Sequence, residues 1–120
     1  MLDLINKGRM ADALKVHWQM QPLIQGIYDL QAPLLLHEGH PWAHMKYYQW
    51  VTGGNGGLLP LKAAPNLPVL DVSGRELIKS SYKKAGITPV DRPEEEFAVG
   101  RAAYGRGTRI GQLASTPLYT

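Results

Sequence analysis

Cysteine is absent from the 120-residue sequence. Without thiols, disulfide frameworks and thiolate metal sites are excluded. Long apolar runs are also missing, because no stretch approaches the roughly 20 residues that a membrane-spanning helix needs. The opening residues, MLDLINKGRMADALK, lack the apolar core and small-residue cleavage site of a signal peptide. We therefore expect a cytoplasmic protein without disulfides and without a membrane partner.

Charge is low and scattered, with a net value of +3. Nucleic-acid-binding proteins usually concentrate basic residues on one face or stripe. Here only Arg101, Arg106 and Arg109 gather, in a glycine-containing stretch near the carboxyl end. A weak nucleic-acid binder is thus the least favoured of the functions considered. The composition, 44% hydrophobic and 19% charged, is typical of one globular domain.

Residues 9–31 have the apolar spacing of a long helix. One apolar stripe consists of Ala13, Val16, Met20, Leu23, Ile27 and Leu30. A second, adjacent stripe consists of Met10, Leu14, Trp18 and Ile24. A helix that is apolar around most of its circumference is expected to be buried between two layers. Pro22 should bend its axis, and Pro33 and Gly39 mark the break that follows.

A second helix is predicted from Pro41 to Val51, since proline suits the first turn of a helix. Gly53 and Gly54 should end it. Residues 53–68, rich in glycine and proline, read as an extended loop.

The tetrapeptide Ser73–Glu76, SGRE, has the form of a capping box that opens a third helix. That helix is expected to run to Ala85 and to stop at Gly86 in a left-handed conformation. Its predicted buried residues are Leu77, Ile78, Tyr82 and Ala85.

A last helix should begin at Asp91 with Pro93 and three glutamates in its first turn, where the helix dipole favours negative charge. It should end near Gly105 or Gly107, and residues 108–120 read as a loosely held tail. No stretch has convincing strand-like alternation, so the predicted fold class is all-α.

Three histidines, His37, His40 and His44, lie close together in the sequence. His40 and His44 are one helical turn apart, a spacing that lets two imidazoles share a metal ion. The H-E-x-x-H pattern with its glutamate base is absent, and Gly39 separates Glu38 from the helix. We expect packing histidines and no metal site.

Two other patterns in the sequence do not predict a functional site. The loop TGGNGG, residues 52–57, lacks the lysine and the Ser or Thr that complete a phosphate-binding P-loop, and no strand precedes it. Ser73, Ser80 and Ser81 could be combined with the histidines as nucleophile and base, but no spacing supports this.

The order of these elements resembles the C-terminal helical segment of the dihydrodipicolinate synthase / N-acetylneuraminate lyase family. Gly8, Asp12-Ala13 and Pro22-Leu23 match the family's first element, a long apolar helix. The stretch Leu67-Pro68 to Ser73–Glu76, with a helix that ends at Ala85-Gly86, matches a later one. The resemblance covers roughly residues 5–87, and residues 88–120 would be an additional helix and tail.

This resemblance implies a class I lyase or dehydratase that acts on a 2-keto acid through a Schiff base. The sequence HPWAHMK, ending at Lys46, departs from the family's usual Asn-Pro-x-Pro-Val-Lys. That departure and the extension beyond Gly86 are more similar to the sugar-acid branch, such as 2-keto-3-deoxy-L-arabonate dehydratases. A (β/α)₈ barrel takes about 250 residues, and the family's catalytic lysine and tyrosine lie on that barrel.

Lys46 does not match the catalytic lysine, so no catalytic, cofactor-binding or metal-binding residue is assigned to this chain. The expected function is that of a C-terminal helical segment, inactive alone, of a 2-keto sugar acid lyase. Its expected partner is a second copy or a barrel-containing protein. The alternative is a stand-alone helical protein-interaction module.

Overall fold

The computed structural model describes residues 1–37, 39–58 and 69–113. These residues form six α-helices and one 3₁₀ turn: α1 (Leu2–Asn6), α2 (Met10–Leu36), α3 (Trp42–Trp50), α4 (Val72–Lys84), α5 (Glu94–Val99), α6 (Arg101–Gly105) and the turn Ile110–Gln112. The described part is mostly helical and contains no strand, which confirms the all-α class for it. No described helix is both long and apolar enough to cross a membrane.

Helix α2 is longer than predicted, because it continues through Pro33 to Leu36. The expected break at Pro33 is therefore wrong. A proline within a helix removes one backbone hydrogen bond and crowds the preceding turn, but Leu34, 2% exposed, anchors the next turn in the interior. The helix ends where the backbone N–H groups of His37 and Gly39 both bond to the carbonyl of Leu34.

The two apolar stripes of α2 have different surroundings. The first stripe faces the protein, where Leu23 is buried and Met20, Ile27 and Leu30 pack against the core. The second stripe is exposed, so the prediction that α2 is buried between two layers is wrong. We call this exposed face, with its continuation toward the helix end, the outer stripe. It consists of Met10, Leu14, Trp18, Ile24, Tyr28, Leu35 and Leu36.

Helix α2 packs closely against α4. At the contact, a Cβ added to Gly26 would lie 2.5 Å from the Ser81 hydroxyl and would have to displace it, so glycine favours this close packing of the two helices. One helical turn further along α4, Gln19 of α2 donates a hydrogen bond to the carbonyl of Ala85 at 2.8 Å. This pair forms one wall of the core.

Helix α3 supplies the aromatic centre of the core, because Tyr47 and Trp50 are 0% exposed, as is Val51, the residue that follows the helix. The Tyr47 ring meets Phe97 of α5 edge-on, with centroids 4.8 Å apart. Phe97, which follows the predicted boundary at residue 87, therefore shares one core with α3. The division of the chain at that residue stays a prediction. The predicted span of α3, Pro41 to Val51, is confirmed to within one residue at each end, and Gly53, at φ +109°, follows it.

Helix α4 begins differently from the prediction. Its N-cap is Asp71, whose carboxylate accepts the backbone N–H of Gly74 at 2.8 Å. Ser73 lies inside the first turn and is exposed, so the Ser73–Glu76 capping box is wrong. Both Asp and Ser suit an N-cap, and Asp71 takes the position because its backbone is extended. The stop at Gly86, φ +81°, is confirmed.

The buried side of α4 agrees closely with the prediction. Ile78 and Ala85 are 0% exposed and Tyr82 is 8% exposed. Leu77 is only half-buried.

The single helix predicted from Asp91 is wrong, because two short helices, α5 and α6, meet at Gly100. Gly100 has φ +96°, and a Cβ there would lie 3.0 Å from the side-chain amide nitrogen of Asn55. The loop at residues 55–58 presses against this point, and Leu58 N–H bonds to the carbonyl of Ala98 at 3.0 Å. This contact between distant parts of the chain breaks the helix. Residues 59–68 of the predicted loop and 114–120 of the predicted tail lie outside the described residues.

Candidate functional site

A fully buried carboxylate, Glu96, is the polar centre of the fold, with 0% of its surface exposed. Its oxygens accept hydrogen bonds from Arg92 Nε at 2.8 Å and from Arg101 Nε at 2.9 Å. The indole N–H of Trp50 donates a further bond at 3.2 Å. Arg101 also donates to the carbonyl of Gly53 at 2.6 Å. The cluster thus ties the end of α3 to both α5 and α6.

The environment of Glu96 keeps it ionised. Burial by itself raises the pKa of this carboxyl, but the hydrogen bonds from Arg92, Arg101 and Trp50 outweigh that effect and hold the pKa at about 2. A general base works best with a pKa near the operating pH. Glu96 is therefore suited to holding the helices together and poorly suited to proton transfer.

A second carboxylate, Glu94, pairs with a lysine that lines a cleft. It accepts a hydrogen bond from the Tyr47 hydroxyl at 2.8 Å and forms an ion pair with the Lys79 ammonium. The guanidinium of Arg75, only 8% exposed, lies 3.6 Å from the other carboxylate oxygen. Because these partners come from α3 and α4, Glu94 joins three helices.

The cleft beside Lys79 encloses about 330 Å³ between α4 and the segment that precedes α5. Its lining consists of Glu76, Lys79, Lys83, Thr88, Pro89, Val90 and Asp91. Two amines and two carboxylates therefore face it. The Lys79 amine that faces the cleft is engaged in an ion pair with the Glu94 carboxylate. The cleft can hold a small polar molecule, but its geometry does not prepare Lys79 as a nucleophile.

The three histidines have different environments. His44 is buried on α3, 4% exposed, and burial lowers its pKa while the nearby charge of Asp71 opposes that shift. His40 is exposed and stacks on the Trp42 ring, with centroids 4.0 Å apart. His37 is exposed at the end of α2. Among the described residues, no three His, Cys, Asp or Glu side chains converge as a metal site would require.

The polar groups of the glycine-rich loop after α3 form hydrogen bonds to α5 and α6. Gly57 N–H donates to the carbonyl of Phe97 at 2.7 Å. The Asn55 side chain accepts the N–H of Ala102 at 2.8 Å, and the Asn55 carbonyl accepts the N–H of Arg101 at 2.7 Å. Asn55 thereby satisfies two donors at the start of α6. These groups support a helix and are not arranged around a phosphate.

Within the described part of the chain, the serines considered as nucleophiles are not hydrogen-bonded to the histidines; two of them bond within their own helix. Ser80 and Ser81 both donate to the carbonyl of Leu77, at 3.0 and 2.8 Å. Such bonds to the preceding turn are common for serine within a helix. Ser73 is exposed in the first turn of α4.

Sequence reasoning missed the two carboxylate clusters. It treated the three glutamates of α5 as equivalent charges at a helix start, whereas the fold buries Glu96 completely and leaves Glu94 half-buried. One signal was present: Arg92 precedes Glu96 by four residues, and pairs at this spacing can meet on a helix. The partners Tyr47 and Lys79 of Glu94 come from distant positions and carried no local signal.

No protein-family model, curated protein or solved structure matches the chain.

Proposed function

We propose that these residues form the C-terminal helical segment of a 2-keto acid lyase or dehydratase of the dihydrodipicolinate synthase family, on its sugar-acid branch. The observation that carries the proposal is that α2, α3 and α4, the helices that bear the resemblance, follow one another as expected and share one core. Leu23 of α2, Tyr47 of α3 and Ile78 of α4 all belong to it.

In this proposal the segment supplies no catalytic group. The Schiff-base lysine and the tyrosine relay would come from a (β/α)₈ barrel, while the helices would cover the barrel and contribute to contacts between subunits. The substrate would be a 2-keto sugar acid. The ion pair between Lys79 and Glu94 supports the view that this segment supplies no catalytic lysine, because the half-buried amine beside the cleft is already engaged.

The test is to identify the coding sequence upstream of this segment and to produce the barrel that it encodes. The barrel and the segment, expressed together, should co-purify and dehydrate or cleave a 2-keto sugar acid. The barrel alone should lose most of that activity. A matched preparation with Lys46→Met in the segment should stay active, because Lys46 has no catalytic role here. An upstream region that encodes no barrel would overturn the proposal.

A second candidate function, a helical protein-interaction module, is favoured by the exposure of the outer stripe. Trp18 and Tyr28 are each 67% exposed on the same helix. Exposed apolar patches of this extent mark interaction sites. A segment that binds a non-barrel protein through α2 and shows no coupling to lyase activity would favour this candidate.

Nucleic-acid binding gains no support from the arginines of the carboxyl-terminal stretch. Arg101 is bonded to Glu96. The guanidinium of Arg109 lies 4.2 Å from the centroid of the Tyr104 ring and donates to the Tyr104 carbonyl at 3.1 Å. Two of the three cations are therefore held by other protein groups.

A further inference from the structure

The outer stripe of α2 is a continuous uncharged surface. At 100° per residue its seven positions fall within a sector of about 120°, and the helix of 27 residues is about 40 Å long. The remaining positions in that sector are His17, Gln21, Gln25 and Ala32, so it contains no Asp, Glu, Lys or Arg. Such a face offers no charge to select a charged partner and is suited to a second apolar helix.

The exposed area matches what a stable dimer needs. The seven side chains are between 36% and 84% exposed. At about 200 Å² for a fully exposed side chain of this size, they present on the order of 800 Å². A specific protein interface of standard size buries about 800 Å² on each partner. One copy of α2 thus has enough apolar surface for one interface.

The order of residues along the stripe is nearly the same in both directions. Trp18 and Tyr28 lie five residues on either side of position 23, and Leu14 and Ala32 lie nine residues on either side. Met10 and Leu36 lie thirteen residues away. In a dimer with two-fold symmetry, residue i of one copy contacts residue j of the other and the reverse. An antiparallel pair centred on position 23 therefore places apolar side chains against apolar side chains on both sides of its centre.

The centre of such a pair is polar on both copies. Gln21 and Gln25 lie two residues on either side of position 23. Each makes a bond within its own helix, Gln21 to His17 at 3.0 Å and Gln25 to Asp29 at 2.7 Å. A side-chain amide has four hydrogen-bonding positions, so both retain capacity to bond across the axis. A central polar pair of this kind can fix the register of two helices.

We propose that the outer stripe is a homodimer interface in which α2 pairs with α2 of a second copy, antiparallel and centred on position 23. This surface is separate from the clusters around Glu94 and Glu96. The proposal does not depend on the lyase assignment, and within an assembled enzyme the same stripe would be a contact between subunits.

The first experiment measures mass by light scattering over a concentration series. The intact chain should be a dimer, and Trp18→Glu should shift it to monomer with at least a tenfold weaker association. The matched control is Val72→Glu, at a position 61% exposed in the first turn of α4, where an acidic residue is favoured. Circular dichroism shows whether both variants retain their helices.

A wild-type chain that is monomeric at its highest soluble concentration would overturn the proposal. A second outcome against it is an equal loss of dimer in Trp18→Glu and Val72→Glu. Wild-type chain that stays monomeric but forms a Trp18-dependent complex with a barrel or another protein would assign the stripe to that partner.

The second experiment tests orientation by disulfide trapping, and the absence of native cysteine removes any background. Leu14→Cys and Ala32→Cys chains are mixed and oxidised. The antiparallel pair predicts a heterodisulfide between the two variants and little disulfide in Leu14→Cys alone, because its two copies of position 14 would be about 27 Å apart. Efficient crosslinking of Leu14→Cys to itself would contradict the antiparallel arrangement.

Discussion

Replacing Glu96 with glutamine tests the buried carboxylate at the centre of the fold. Glutamine has the same shape, so Glu96→Gln removes the charge while leaving the packing against Trp50 in place. The lost pairing with Arg92 and Arg101 sets the magnitude. Breaking a buried ion pair costs about 3–5 kcal/mol, and a pKa lowered from 4.5 to about 2 corresponds to about 3 kcal/mol. Because Arg92 is 52% exposed and can be hydrated, we expect about 2–3 kcal/mol.

The pH dependence follows from the same shift. A carboxyl whose pKa is lower in the folded state stabilises the fold above its unfolded pKa, and this contribution disappears as the pH falls through the folded pKa. The difference in unfolding free energy between wild type and Glu96→Gln should therefore have its maximum value above about pH 5. It should shrink between about pH 4.5 and pH 2.

Urea unfolding followed by circular dichroism at several pH values measures both quantities. The control is Glu76→Gln, because the Glu76 side chain is 69% exposed and its oxygen lies 4.0 Å from Lys79. Surface pairs of this kind contribute about 0–1 kcal/mol. Equal stability of the two variants at neutral pH would refute the reasoning. So would a Glu96→Gln deficit that stays constant down to pH 2.

Two further substitutions test the helix boundaries by thermal unfolding. Asp71→Ala should cost about 1 kcal/mol because it removes the observed cap of α4, while Ser73→Ala should change stability by only a few tenths; the reverse order would restore the Ser73 cap. Gly100→Ala should cost about 1–3 kcal/mol because φ is +96° and Asn55 lies close. Gly105→Ala, with open space around its Cβ, should be neutral or slightly stabilising, and equal effects at the two glycines would contradict the break at Gly100.

The parts of the fold that sequence predicted well have local causes. The turn at Gly86 depends on a backbone conformation that glycine adopts cheaply, and the apolar spacing of α4 identified Ile78 and Tyr82 as buried. The predicted start of α4 was wrong for a local reason as well. Asp71 and Ser73 are both suitable N-caps, and only the extended backbone at Asp71 distinguishes them.

Other parts depend on contacts between distant residues. Helix α2 continues past Pro33 because Leu34 is buried, and the chain breaks at Gly100 because the loop at Asn55 presses there. Neither fact is visible in a short window of sequence. The same holds for most of the candidate site. Apart from Arg92, four residues before Glu96, the partners of Glu94 and Glu96 come from other helices.

The measurement that most directly tests the proposed function is reductive trapping with pyruvate and borohydride, read by mass spectrometry. It is carried out on this chain alone and on its mixture with the barrel that the proposal expects to be encoded upstream. The proposal predicts no adduct on any lysine of this chain, and in the mixture one adduct on a lysine of the barrel. A stoichiometric adduct on Lys79 or on any other lysine of this chain would contradict the proposal that the helical segment supplies no catalytic group.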